Sequence, residues 1–154
     1  SLLTIILAPA SSEQTLLVGK RKLIYILWEQ KLFMRRNGIK FNKIKSLLSQ
    51  RIEDIYQQQL DHKINTISYK LFDNTLVIIL EGIITSPEKL LKDNDYLYLA
   101  KQVRKAVDDV LHPQIQGIIE EVLDVKVIDF LSDTTIKSNL TGAIAIFEFK
   151  PKEN

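Results

Sequence analysis

The sequence predicts an α+β domain, a four-stranded, largely antiparallel sheet with helices packed on one face. Three observations carry this reading. Apolar residues recur at steps of three and four over 44–60 and again over 96–124. Between those stretches, two short runs alternate in polarity on either side of Asp73-Asn74. After the second stretch come two strand-like runs, 126–131 and 143–149.

The first helix is marked by Ile44, Leu47, Leu48, Ile52, Ile55, Tyr56 and Leu60, with Arg51, Glu53, Asp54, Gln57 and Gln58 largely on the other face. The runs 65–72 and 75–81 then read as a hairpin. Asp and Asn tolerate the positive φ of a two-residue turn. The register that follows pairs Leu71 with Leu76, Tyr69 with Ile78 and Ile67 with Leu80, all apolar on one face. Thr85-Ser86-Pro87-Glu88 is a capping box with Pro in the first turn, and it predicts a short helix over 86–92. Leu99, Ala100, Val103, Ala106, Val107, Val110 and Leu111 predict a helix over 96–111. Pro113 disfavours helical geometry at His112 and predicts a break or kink there. Ile115, Ile118, Ile119, Val122 and Leu123 then extend a helical stripe to 124. The run 143–149 is apolar on both faces except at Glu148, which predicts a central strand covered on both sides.

The chain has 154 residues, enough for one domain with a short appendage. The absence of Cys excludes a disulfide scaffold, a zinc ribbon, an iron–sulfur site and thiol catalysis. No apolar run reaches the roughly 18 residues of a membrane-spanning helix. The net charge of +2 hides an asymmetry, because residues 1–45 carry +7 and residues 46–154 carry −5. This predicts a basic arm over 1–45, a mildly acidic α+β domain over 46–150 and a tail over 151–154. Such an arm suits nucleic acid, anionic lipid or an acidic body, whereas an acidic domain argues against nucleic-acid binding by the domain itself. Residues 1–10 resemble the apolar part of a signal peptide but lack a basic segment before it. Residues 23–33 could form a membrane-surface helix. The only Met is Met34, which fits residues 1–33 being an upstream extension.

Side chains with possible chemistry have plain alternatives. His62 and His112, fifty residues apart, read as helix-end residues that bond free backbone groups. Glu120 and Asp124 fall at i, i+4 beside Glu121 and could hold a divalent cation, but no further ligand cluster lies nearby, so a solvated face is the ordinary reading. Arg104/Asp108 and Lys105/Asp109 read as surface ion pairs at helical spacing. Arg104 could also hold an anion or a partner's carboxylate bidentately. Ser132-Asp133-Thr134-Thr135 reads as a turn, since nothing signals the base or oxyanion hole of a nucleophilic site. No phosphate-binding loop, GxSxG or HExxH occurs.

Several stretches together resemble a known family. They are LLSQRIEDIYQQQLDH from Leu47, LFDNTLVIILEG from Leu71, ITSPEKLL from Ile84, the long run from Leu99 to Thr135, and TGAIAIF from Thr141. In this order they resemble the MpsC-type domain, a former domain of unknown function named for a bacterial Na+-translocating, membrane-potential-generating system. The likeness is to its short stand-alone form in cyanobacteria. The resemblance places the family's Thr-x-x-Glu on Thr85 and Glu88, its helix arginine on Arg104 and its strand-end aspartate on Asp133. It also shows a departure: Asp61 and Ile64 stand where family members usually carry Gly and Pro. What it implies is an accessory or regulatory role beside a membrane complex. With no thiol, phosphate loop, metal cluster or nucleophile with a base in reach, the chain reads as a cytoplasmic, non-catalytic accessory or interaction domain associated with ion transport. It would work through a protein partner or self-association, without a cofactor or metal, and touch a membrane only indirectly or through the arm. Two other classes remain as alternatives: a small carboxylate- or metal-dependent enzyme using Glu120 or Asp133, and a nucleic-acid or membrane-surface binder using the basic arm.

Overall fold

Alternation makes the hairpin the most strongly specified element, because a slip of one residue would turn every apolar side chain to the wrong face. A computed structural model of the chain describes Arg21 and residues 38–151. In it β1 (Thr66–Phe72) and β2 (Thr75–Glu81) pair antiparallel, with Leu71 opposite Leu76, Tyr69 opposite Ile78 and Ile67 opposite Leu80. Asp73 enters the turn at φ +51°, and Asn74 O accepts the Phe147 N–H, carrying the ladder one residue past β2. Arg21 apart, the readings of residues 1–33 fall outside the described residues.

The hairpin is preceded by α1 (Gly38–Leu60) and followed by α2 (Ser86–Asp93) and α3 (Leu97–Leu123). Then come β3 (Val125–Thr135) and β4 (Leu140–Phe149). The four strands form one antiparallel sheet in the order β1-β2-β4-β3. The chain divides into two compact units, Ser1–Lys43 and Ile44–Asn154, and the whole sheet belongs to the second.

One face of the sheet is buried under helices. Leu76, Ile78 and Leu80 of β2 and Ala143, Ala145 and Phe147 of β4 lie within it. The helices supply Leu48, Ile52 and Tyr56 from α1 and Leu111, Ile115, Ile118 and Ile119 from α3. Each large apolar side chain so buried contributes roughly 1.5–3 kcal/mol. Arg51 pairs with Glu121 at 2.6 Å, and Gln59 exchanges hydrogen bonds with Gln114, which joins α1 to α3 along their exposed side. A smaller cluster of Ile84, Ala100 and Ile136, with Leu91 against it, seats α2.

Several expectations are corrected. α1 starts before residue 44, because the apolar period marks only the part of a helix that is buried. Pro113 does not break α3, which runs through it as one helix. A Pro in a helix interior costs about 3 kcal/mol, but Leu111 and Ile115 are both buried, so packing holds the helix on either side. Gln114 Nε2 also donates to Val110 O at 3.2 Å, beside the missing backbone bond. Ser132-Asp133-Thr134-Thr135 is strand, and the turn falls at 136–139. The Thr134 and Thr141 hydroxyls share a hydrogen bond of 2.7 Å across the two strands, which favours extended pairing there. β4 is central, yet among the described residues only one of its faces is covered: Ile144 is 38% exposed on the other.

Candidate functional site

The connection after β2 builds the polar centre. Gly82 leaves the strand at φ +80°, which favours glycine, and a Cβ there would meet the Asn65 side chain. Its N–H donates to Asn139 O, and Asn139 Oδ1 accepts the Ile84 N–H. These bonds fix the Ile83 carbonyl, which accepts from Arg104 Nη1 at 3.0 Å. Glu88 Oε2 accepts the Thr85 N–H at 2.9 Å and the Thr85 hydroxyl at 2.7 Å, so the capping box is in place and its strongest bonds run to the glutamate. The same oxygen lies 3.4 Å from Arg104 Nη1.

Glu88 is 0% and Arg104 3% exposed, so this pair is held out of water. Thr85, Glu88 and Arg104 therefore converge. The Arg104–Asp108 pair, expected at the surface, is drawn inward with them because Arg104 interrupts the buried stripe of α3 formed by Ala100, Leu111 and Ile115. Arg104 Nε is 3.1 Å from Asp108 Oδ1, an ion-pair contact too poorly aligned to satisfy the N–H. Glu88 Oε1 and Arg104 Nη2 likewise have no hydrogen-bond partner among the described residues.

One turn beyond Asp108 stands His112, its Nε2 3.8 Å from the same Oδ1. It lies in the interior of α3 rather than at a helix end, because the helix continues past Pro113. Its ring meets Phe130 edge-on at 5.2 Å. Burial lowers the His112 pKa from its usual 6.5, with Asp108 opposing. Burial raises the Asp108 carboxyl, with Arg104 opposing. Burial also pushes the Tyr56 hydroxyl up to about 12. Asp108, His112, Tyr56, Ser132 and Thr141 share a cavity of about 10 Å³, room for one water. Sequence reasoning missed this grouping. The 104/108/112 spacing, with Arg104 at a core position, was the available signal.

The remaining candidates lie apart from this centre. Asp133 is exposed on the other face of the sheet, where its Oδ1 accepts the Thr134 N–H at 2.9 Å. Glu121 is engaged by Arg51, and Asp124 caps α3 at φ +54° and pairs with Lys150. No group of three or more His, Cys, Asp or Glu suited to a metal occurs among the described residues. His62 Nε2 lies 2.6 Å from Gly82 O, a strand-end carbonyl rather than one of its own helix.

The model of the family described as "Na+-translocating membrane potential-generating system (MpsC)" matches residues 41–149, from within α1 to the end of β4. The chain belongs to the MpsC family. No curated protein and no solved structure matches it. Among the described residues, no helix of this MpsC chain is long and apolar enough to cross a membrane.

The geometry also shows what Asp61 and Ile64 do at the two positions where the resemblance leads one to expect Gly and Pro. Asp61 has φ +49°, and its N–H donates to Gln57 O, which closes α1 with a left-handed cap. Glycine suits that position for its conformational freedom. Here Asp61 holds it and accepts a side-chain bond from Gln57 at 2.8 Å. Ile64 is 3% exposed, so an apolar residue there fills the core.

His112 makes the stability of this MpsC domain depend on pH. Its folded pKa lies below the unfolded value. As pH falls through 6.5 the unfolded chain therefore takes up a proton that the folded chain refuses, and stability drops. One proton gives a slope of at most about 1.4 kcal/mol per pH unit. Asp108 acts in the opposite sense from 3.8 upward to its raised folded pKa, where the folded chain holds a proton the unfolded one lacks. Urea midpoints should therefore decline from about pH 7.5 to 5.5 in the parent chain, and His112→Gln should flatten that decline. An equal decline in the variant would assign it to other groups.

Proposed function

We propose that this MpsC family member is a non-catalytic, cytoplasmic accessory domain that acts by protein–protein contact beside a Na+-dependent membrane-potential system. The observation that supports this most is the open face of the sheet. Leu131 and Ile144 stand 54% and 38% exposed there, and no described helix or strand covers them. A contiguous apolar face of this kind marks an interaction surface. A non-catalytic reading is further supported by the Asp108–His112 cavity of about 10 Å³, which is far below the several hundred Å³ of small-molecule sites. Thr85 and Glu88 bond one another in the capping box, and Arg104 Nη1 reaches Glu88 and the Ile83 carbonyl, contacts that hold α2 against α3.

The test is capture of the tagged full chain from its native cells. Subunits of a membrane ion-transport system should be retained with the parent chain and lost with Ile144→Asp, which disturbs the open face whether they bind it directly or bind the assembly formed through it. Equal retention by the variant, or turnover of a screened substrate that Asp108→Asn abolishes, would overturn the reading.

A further inference from the structure

We infer that the open sheet face is the site at which a second copy of this chain docks, related by a twofold axis running along the strands. This rests on the reading of that face as an interaction surface and names its occupant.

Registers place the outward residues in rows across the strand order. The middle row reads Lys70, Val77, Ile144, Leu131. Lys70 stands on β1 at one side of the sheet. On β3, at the other side, Asp129 and Asp133 flank Leu131 two residues away in each direction, and all three share its exposure. The middle row is thus apolar between a lysine on β1 and two aspartates on β3; the other charges of the face lie toward its ends and are engaged, Glu81 by the Thr66 hydroxyl and Lys126 by Glu148.

A twofold axis between β2 and β4, parallel to them, turns this face onto a copy of itself. It exchanges β1 with β3 and β2 with β4, and returns each row to its own level. Val77 then meets the partner's Ile144, and Ile144 the partner's Val77. Lys70 meets the partner's Leu131, between the carboxylates of the partner's Asp129 and the partner's Asp133. The same contact repeats at the opposite side, as an isologous interface requires. Strands so arranged run nearly parallel, the aligned packing of two sheets about 10 Å apart. No other simple orientation matches both signs: an axis perpendicular to the strands sets each strand against its own copy and Lys70 over the partner's β1.

The edge of β3 is closed to the alternative of strand addition. Asp129 Oδ1 accepts the Phe130 N–H and Asp133 Oδ1 accepts the Thr134 N–H, each at 2.9 Å, so two edge donors are already occupied. The bulge between Val127 and Asp129 breaks the edge further. The second oxygen of each aspartate accepts nothing from the described residues and remains for a lysine. Four strands by seven residues give a footprint of roughly 450 Å² per copy, about 900 Å² in total, which is below a standard stable interface and in the range of weak, transient ones. A reversible dimer that dissociates on dilution is the expected form.

The test is sedimentation of the full chain from about 1 to about 200 μM, where a dimer should build up with concentration. Lys70→Glu and the double variant Asp129→Lys/Asp133→Lys should each weaken it by about tenfold or more, since each sets like charges against one another at both sides. Mixed in equal amounts, the two variants should recover a heterodimer, because opposite signs then meet at both sides. All three residues are exposed, so each variant should still unfold in one cooperative transition in dilute protein, which separates a lost dimer from a lost fold. A chain monomeric throughout the range, variants that dimerise like the parent, or a mixture that recovers nothing overturns the inference. If any of these occurs while capture of another protein still depends on Ile144, the interaction reading stands and only its occupant is wrong.

Discussion

Arg104→Met is expected to lower the unfolding free energy by about 3–5 kcal/mol, the cost of leaving a buried charge without its counterion. Arg104 faces two carboxylates, Glu88 at 3.4 Å and Asp108 at 3.1 Å, and also caps the Ile83 carbonyl. Methionine fills much of the same volume, so the loss reports charge and hydrogen bonding rather than a cavity. Against a total stability of about 5–15 kcal/mol for an ordinary domain, such a loss approaches unfolding. Glu88→Gln in the same chain should return part of it, because a neutral amide no longer needs the guanidinium. Urea denaturation of the single and double variants measures both steps. If Arg104→Met costs less than about 1 kcal/mol, as exposed ion pairs do, the centre is solvated and its burial contributes little.

Arg104 also shows how far the sequence could be read. Its spacing to Asp108 at i, i+4 was visible, and so was the Thr85–Glu88 box, because both depend on local geometry. Their convergence was not. It depends on Gly82 turning the chain so that the Ile83 carbonyl and α2 arrive beside α3, a contact between residues 16 and 21 positions apart. The hairpin was legible to the residue because two alternating runs constrain one another. Pro113 misled because its local cost is outweighed by buried neighbours on both sides, and these are tertiary. Ser132–Thr135 misled because Ser, Asp and Thr favour turns by hydrogen-bonding their own backbone. In β3 Asp133 makes such a bond while the strand continues, since it serves the N–H at an open edge. The departure at Asp61 was visible as a missing glycine, but its meaning required the positive φ.

β4 yields the second large effect, and with it the distinction that composition could not make. Its residues 143–149 are apolar on both faces except at Glu148, yet the two faces meet different surroundings. Phe147 is 1% exposed, packs edge-on against Phe149 at 5.6 Å and lies opposite Val127. Phe147→Ala should cost about 3–5 kcal/mol, from lost transfer free energy and the cavity left in a core closed by two helices. Ile144, three residues away on the same strand, is 38% exposed. Ile144→Thr keeps a β-branched side chain suited to a strand, and measured in dilute protein it should alter stability by no more than about 0.5 kcal/mol. Urea melts of the two variants at one low concentration make the comparison. A cost for Ile144→Thr approaching that of Phe147→Ala would mean that the chain itself covers the outer face. A small cost in dilute protein, rising as the concentration is raised, would locate the missing cover in another molecule.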